Sequence, residues 1–466
     1  MLQRYIGDRA FYRRAMTIAL PIVIQNAITS LVSLLDNIMV GQVGTLQMSG
    51  TSIVNQLMFI FMLAVFGANA GAGIFTAQLF GNNDTKGVRH TFRFKLMACV
   101  LLTALCIGVF LLFDDALIGL YLQGEGSPED AAAILQHGKD YLHIMLWGLL
   151  PFALCNAYAG TLRETGQTFV PMVGSITAVF INLMLNWVLI FGHFGLPAMG
   201  AKGAALATVI SRFAELAIVA GWTHLNPRKN PFICNAFRSL YVPGKLLGNI
   251  IRKGSPLLIN ETLFAIGLAT VNQSYSTCGL DVVPALNICS TIFNLSGVTY
   301  MAMGNAVGII MGQMMGAGKT KEEIRDTNNK LVALSLASGI LFAGLTALLS
   351  RFFPLLYNTS DEVRHLASNL ILIDALMLPA YAHVHASYFS FRAGGKTFIT
   401  FLFDCGFLWC MLVPCAYILC RYSGLPIITL YLICQSLEYV KAFAGLLMLK
   451  SDFWIQNLAQ SNQAKT

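Results

Sequence analysis

The chain has 466 residues, of which 56% are hydrophobic and only 11% charged, with a net charge of +8. Soluble proteins carry about 25% charged residues, and the apolar runs here reach the roughly 20 residues that span a bilayer core, which argues against a large soluble enzyme and for a multi-pass membrane protein. The basic excess lies in short loops, as contact with anionic lipid requires, and points to no nucleic-acid partner.

In chain order, a basic start (Arg4, Arg9, Arg13, Arg14) leads into an apolar segment too long for a cleavable signal peptide. Spans are predicted over 15–40, 51–77, 92–113, 141–162, 168–192 and 203–222. After a segment punctuated by Pro227, Pro231 and Pro243, six more follow over 253–277, 284–314, 331–350, 366–391, 397–420 and 425–449. Strands of a membrane barrel would be short and alternating, so the expected fold is all-α. It consists of twelve transmembrane helices in two pseudo-symmetric six-helix bundles. The expected division is an amino-terminal lobe 1–222, a cytoplasmic linker 223–252 and a carboxy-terminal lobe 253–466.

The second half repeats the first at an offset of about 235 residues: Gly73, Ile74, Gln78, Gly81, Thr85 and Lys86 recur as Gly308, Ile309, Gln313, Gly316, Thr320 and Lys321, and Pro21 as Pro256. Pro151 with Arg163-x-x-Gly166-x-Thr168 is answered by Pro379 with Arg392-x-x-Gly395-x-Thr397. Six spans per half is an even number, so both halves enter the membrane in the same sense, as parallel repeats with the working site between lobes. Ser127-Pro-Glu and Ser360-Asp-Glu read as helix N-caps before the fourth span of each half.

Basic residues cluster at the amino terminus and at Lys86–Lys95, Arg228–Lys253, Lys319–Lys330 and Arg392–Lys396, whereas the 114–140 loop is acidic (Asp114, Asp115, Glu125, Glu129, Asp130). All the basic loops fall on one side of a twelve-span arrangement, which puts both termini in the cytoplasm. Short loops suggest a bacterial inner membrane. The eleven cysteines form no C-x-x-C pair and read as apolar filler. Gly67-x-x-x-Gly71-x-Gly73 and Gly304-x-x-x-Gly308-x-x-x-Gly312 read as close-packing surfaces, lacking the Lys-Ser/Thr of a phosphate loop. His383 and His385 are two apart and so on different helix faces, which disfavours a metal site.

An ionised side chain at mid-membrane costs at least about 2.5–3.5 kcal/mol and normally faces a protein interior or a wet cavity. Arg212 with Glu215 and Glu438 with Lys441 are i,i+3 pairs expected to neutralise each other. Asp36, Glu261, Asp374 and Asp404 have no basic partner in their own spans, leaving a functional role or a pairing across helices. Asn182 and Asn186 are an i,i+4 pair. With Asp36 they can surround a small hard cation or a proton, or they can serve as interhelical hydrogen-bond glue. In the other half, Glu261 and Asp374 are placed to approach each other from spans 7 and 10. The acids are not duplicated: Glu261 aligns with Asn26 and Asp36 with Val271, so the halves differ in chemistry on a common frame.

Several motifs together resemble the multidrug and toxic compound extrusion transporters along nearly the whole chain. They are Pro21 before Leu35-Asp36-Asn37-Ile38-Met39-Val40-Gly41, Gln78-x-x-Gly81, Gln313-x-x-Gly316-Ala317-Gly318, and Asn182-x-x-x-Asn186 followed by Gly200-x-x-Gly203-Ala204-Ala205-x-Ala207-Thr208. The resemblance implies two six-helix bundles around a cavity that opens alternately to each side. It implies antiport, with small organic and often cationic substrates leaving as Na⁺ or H⁺ enters, no other cofactor, and a monomer in the lipid bilayer. It assigns coupling to Asp36, Asn182, Asn186 and Thr208, with Glu261 and Asp374 matching the acidic positions of NorM-like members and Asp404 as a possible addition. DinF-like members carry an Asp where this chain has Asn186. Two rivals stay open. A flippase for lipids or lipid-linked oligosaccharides would line its cavity with cationic side chains, and unpaired intramembrane bases are scarce here. A membrane-embedded enzyme would cluster a nucleophile or metal set, and no H-E-x-x-H or G-x-S-x-G motif is present. A channel fits the asymmetry of the halves less well.

Overall fold

The computed structural model describes residues 5–122, 127–279, 281–357 and 359–463. Glu125 of the acidic loop and the side chains of Asn37 and Ile38 lie outside the described residues. Among the described residues there is no strand. Helices α1 (Arg9–Gly41), α2 (Thr45–Gly81), α3 (Thr85–Gly119), α4 (Pro128–Leu146), α5 (Leu149–Glu164), α6 (Phe169–Phe191) and α7 (Ala201–Leu225) make up the first half. The second contains α8 (Gly244–Ser276), α9 (Val282–Gly316), α10 (Lys321–Leu349), α11 (Asp361–Ala393), α12 (Thr397–Phe401), α13 (Val413–Tyr422), α14 (Ile427–Lys450) and the short α15 (Leu458–Gln463). Eleven of the described helical segments are long and apolar enough to cross a membrane, and the bent pair α4–α5 makes a twelfth span. The chain is thus a multi-pass, all-helical membrane protein. Ser127 and Ser360 cap α4 and α11 as expected, accepting from the backbone N–H of Asp130 and Val363.

Two spans depart from the uninterrupted helices expected. The fourth bends by 46° between α4 and α5, at Trp147 and Gly148. Gly148 lets α7 come close: a Cβ there would stand 3.1 Å from Val209 Cγ2 and 3.3 Å from Arg212 Cδ. The eleventh is widened into π-helical turns over Leu402–Gly406 and Leu408–Leu412. Pro414, in the first turn of α13, explains the second of these, because it has no N–H and its ring crowds the Cys410 carbonyl four residues earlier.

Repeated motifs turn out to be repeated backbone geometry. Gly166 (φ 84°) and Gly395 (φ 71°) end α5 and α11 in the left-handed region, where a Cβ is disfavoured. Asn83 (φ 56°) and Gly318 (φ 70°) do the same after α2 and α9. The next helix is then capped by Asp84 in one half, 2.8 Å from Gly87 N, and by a Thr320–Glu323 capping box in the other.

The chain packs as two compact units, one of Met1–Val23, Ala77–Asn83 and Asn249–Thr466, the other of Ile24–Thr76 and Asp84–Gly248. Within the first, α11 lies against α9, α10 and α14 around buried Ile310, Met311, Val384, Phe391 and Trp454. Small residues set the approach, as they do where lipid supplies no hydrophobic drive between helices. A Cβ on Gly304 would stand 2.6 Å from the Phe389 ring. A Cβ on Gly81 would lie 2.0 Å from the Gln313 carbonyl oxygen, and one on Gly316 would lie 1.8 Å from that of Gln78. The two copies of Gln-x-x-Gly therefore press backbone against backbone. Gln78 completes the contact, donating to the carbonyls of Ala393 (2.7 Å) and Gln456 (3.1 Å) and accepting from Leu458 N (2.6 Å).

In the second unit α6 runs along α7, and α3, α5 and α7 pack together. Lys95 of α3 is fully buried and paired with Glu164 of α5, with Thr161 at 3.2 Å. The segment after α7 is strapped to α3: Arg93 donates to the carbonyls of Ala236 (2.7 Å), Asn235 (2.7 Å) and Tyr241 (3.2 Å), and Arg89 to that of Phe232 (3.3 Å).

Candidate functional site

Helix α6 places Asn182 and Asn186 one turn apart on its inward face, 6% and 1% exposed. Thr208 of α7 faces them because α6 and α7 lie side by side, and Asp36 comes from the last turns of α1. Asn186 Nδ2 donates to Asp36 Oδ1 at 2.6 Å and to Asn182 Oδ1 at 3.2 Å, while Asn182 Nδ2 reaches the Thr208 hydroxyl at 3.2 Å. Turning the Asn182 amide over satisfies it better. Turned over, its nitrogen donates to both Asp36 oxygens at 3.0 Å and its oxygen accepts from Thr208. The buried Asn186 Oδ1 has no hydrogen-bond partner among the described residues. A buried acceptor without a donor is costly, and here it lies beside the carboxylate. The four residues predicted for the amino-terminal half are thus brought together into one hydrogen-bonded cluster.

This cluster opens on a cavity of about 320 Å³ within the second unit, lined by Asp36, Asn186 and Thr208. A volume of this order suits a small organic ligand. Helix α2 supplies much of the remaining wall with Asn55, Met58, Phe59 and Met62. Their spacing of three, four and seven residues puts them on one helix face, and that signal is legible in the sequence. Tyr141 of α4 also lines the cavity, its hydroxyl 3.4 Å from Asn55 Oδ1.

Arg212 lines the same cavity, which the sequence reading did not foresee. The expected contact with Glu215 is not made among the described residues, although the two charges still act on each other. The guanidinium turns instead to the Gly148 carbonyl at 3.5 Å and over the Phe152 ring, 5.0 Å from its centroid. The physical reason is direction. Helical side chains lean toward the amino terminus, so a base followed three residues later by an acid is the poorer order. Arg212 does stand four residues after Thr208, on the same helix face, and that spacing was the available clue.

In the other unit the acids take separate places. Asp374 of α11, 3% exposed, accepts from the Tyr431 hydroxyl at 2.9 Å and from the Cys289 thiol at 3.0 Å. Glu261 of α8 is partly buried and has no hydrogen bond to Asp374; the charges acting on it are those of Arg392 and Asp404. Asp404 does have a basic partner across helices: Lys441 Nζ lies 2.7 Å away and Asn260 Nδ2 donates at 3.1 Å. The expected Glu438–Lys441 pair exists at 3.8 Å but is the longer of the two contacts that Lys441 makes. Among the described residues no three His, Cys, Asp or Glu side chains group to hold a metal ion.

A family profile described as MatE matches residues 21–188 and 256–415, one segment in each half. Curated relatives include the probable multidrug resistance protein NorM of Thermotoga maritima, 25% identical over 89% of this chain and 87% of that protein. Another is the probable multidrug resistance protein YoeA of Bacillus subtilis, 25% identical over 94% of this chain and 92% of its own length. Among solved structures, a MATE protein in its straight conformation superposes with a TM-score of 0.85 at 18% identity, over 100% of this chain and 99% of that one. A MOP superfamily transporter from Pyrococcus furiosus gives a TM-score of 0.83 at 18% identity, over 96% and 97%. At such identities the structures share the fold.

Proposed function

The chain belongs to the MatE family, and from that premise we propose that it is a secondary active multidrug exporter that moves organic, often cationic, compounds outward in exchange for inward Na⁺ or H⁺. The names of its curated relatives, multidrug resistance proteins, support the substrate class. The observation that carries the coupling is Asp36: a carboxylate inside the membrane span, free of any ion pair among the described residues, at the edge of a cavity and held by the amide nitrogens of Asn186 and Asn182.

A bare carboxylate in this setting is held by amide nitrogens. A proton neutralises it outright. A Na⁺ ion is met by carboxylate, amide and hydroxyl oxygens, a donor set that suits a hard cation, and the idle Asn186 Oδ1 is a ready ligand. Either event removes the cost of keeping an ionised acid away from water, and the helices around the cavity are then free to close and expel the substrate. The membrane potential supplies about 2.3 kcal/mol per charge per 100 mV for the return. The buried Asp374, held by Tyr431 and Cys289, and the less enclosed Glu261 form the second candidate coupling region, in the carboxy-terminal half. Asp404, paired with Lys441, acts as structure. The halves 1–222 and 253–466, joined through 223–252, are the moving lobes. The protein works as a monomer in a bacterial inner membrane with both termini in the cytoplasm.

Ethidium efflux from cells producing the protein tests this reading. Asp36→Asn is expected to reduce efflux to the level of cells without the protein, at equal membrane abundance. Efflux at the unaltered rate in that variant refutes a required charge at Asp36.

A further inference from the structure

We propose that the amino-terminal cavity selects molecules carrying a carboxylate as well as a cationic ring system, and that Arg212 is the group that holds the carboxylate. The inference rests on the export reading for the direction of movement, but the binding it describes stands or falls separately.

The cavity's charged lining is one Asp36 and one Arg212. Glu215, three residues on, also acts on the Arg212 charge without ion-pair contact, but in the lining itself a zwitterion has a partner for each of its ends. Arg212 is poorly satisfied by its own protein. A guanidinium offers five N–H donors in a planar fork, and this one makes a single long hydrogen bond, 3.5 Å to the Gly148 carbonyl, with no carboxylate in ion-pair contact among the described residues. Its stem passes close to Gly148 and one face of its head lies over the Phe152 ring, so the head is oriented before any ligand arrives and its N–H edge is left for one. An Arg fork and a carboxylate match in bidentate geometry, which adds specificity to charge. Between the two charged ends, Met58, Phe59 and Met62 offer a polarizable wall to an aromatic body.

A purely structural reading is also available, in which Arg212 simply braces the bend between α4 and α5 through Gly148. The two readings differ in ligand preference. Purified full-length protein in detergent is titrated with rhodamine B, which has a free carboxylate on a cationic ring system, and with its ethyl ester, which keeps the ring and loses the anion. Binding is read by fluorescence anisotropy. The unaltered protein is expected to favour the acid over the ester by about tenfold, the discrimination a charge-assisted pair gives. Arg212→Gln is expected to abolish or invert that ratio, and Arg212→Lys to keep part of it, because the charge stays and the fork is lost. An acid-to-ester ratio that neither variant moves overturns the proposal and favours the brace, as does an unaltered protein that binds both dyes alike. Failure of the export reading would show elsewhere, as neither dye moving under an ion gradient in vesicles while the binding ratio holds.

Discussion

Lys95 has no exposed side-chain surface, and Glu164 is what makes that tolerable. Removing one partner of a buried pair strands the other, at about 3–5 kcal/mol. Glu164→Gln is therefore expected to lower the melting temperature in detergent sharply, and Lys95→Met combined with Glu164→Leu to recover most of the loss; a single variant as stable as the parent would refute the pairing's importance. At this scale the sequence is legible where chemistry is local and illegible where it is not. Asn182, Asn186 and Thr208 are readable from their spacing and their resemblance to a family, and they meet Asp36 in space. The partner of Asp404 was hidden, because Lys441 lies on a different span and only helix packing joins them. Arg212 was misread because i,i+3 spacing says which residues share a face and not which way a side chain leans. Glu438 and Lys441, with the acid first, do make their contact.

Helices are the next scale, and there the glycines decide. Gly81 and Gly316 each face a carbonyl at a distance no Cβ can occupy, so Gly316→Ala must push α2 and α9 apart. Overpacking of this kind costs about 1–3 kcal/mol. Gly221, with nothing near its missing side chain, serves as the comparison: its change to Ala is expected to be neutral or to stabilise by up to about 1 kcal/mol. Thermal unfolding of the two variants in the same detergent checks this, and equal stability would contradict the close contact. The twelve spans were legible because hydropathy over some twenty residues is a strong signal. The bend at Gly148 and the π-turns around Asp404 were not, since a hydropathy window passes over both without change. Pro414 and Gly148 were visible as residues, but their effect depends on what packs beside them.

For the molecule as a whole, the distribution of Arg and Lys among loops fixes the orientation we propose. Cys234, exposed in the strapped segment after α7, reports on it directly. In a variant that keeps Cys234 as its only cysteine, a membrane-impermeant maleimide is expected to label inside-out vesicles and spare right-side-out ones; the reverse pattern would overturn the topology. Duplication was legible at this scale from the paired motifs, and it recurs as paired turns at Gly166 and Gly395. The difference in chemistry between the halves was legible too, because Asp36 and Glu261 align with Val271 and Asn26.

Coupling of substrate movement to an ion through Asp36 is tested most directly with purified protein in liposomes. Dye flux is followed under an imposed Na⁺ gradient alone and under a pH gradient alone, for the unaltered protein and for Asp36→Asn side by side. Flux is expected to be driven by at least one of the two gradients in the unaltered protein and by neither in the variant. Gradient-driven flux that survives Asp36→Asn undiminished, or dye movement indifferent to both gradients, would contradict that coupling.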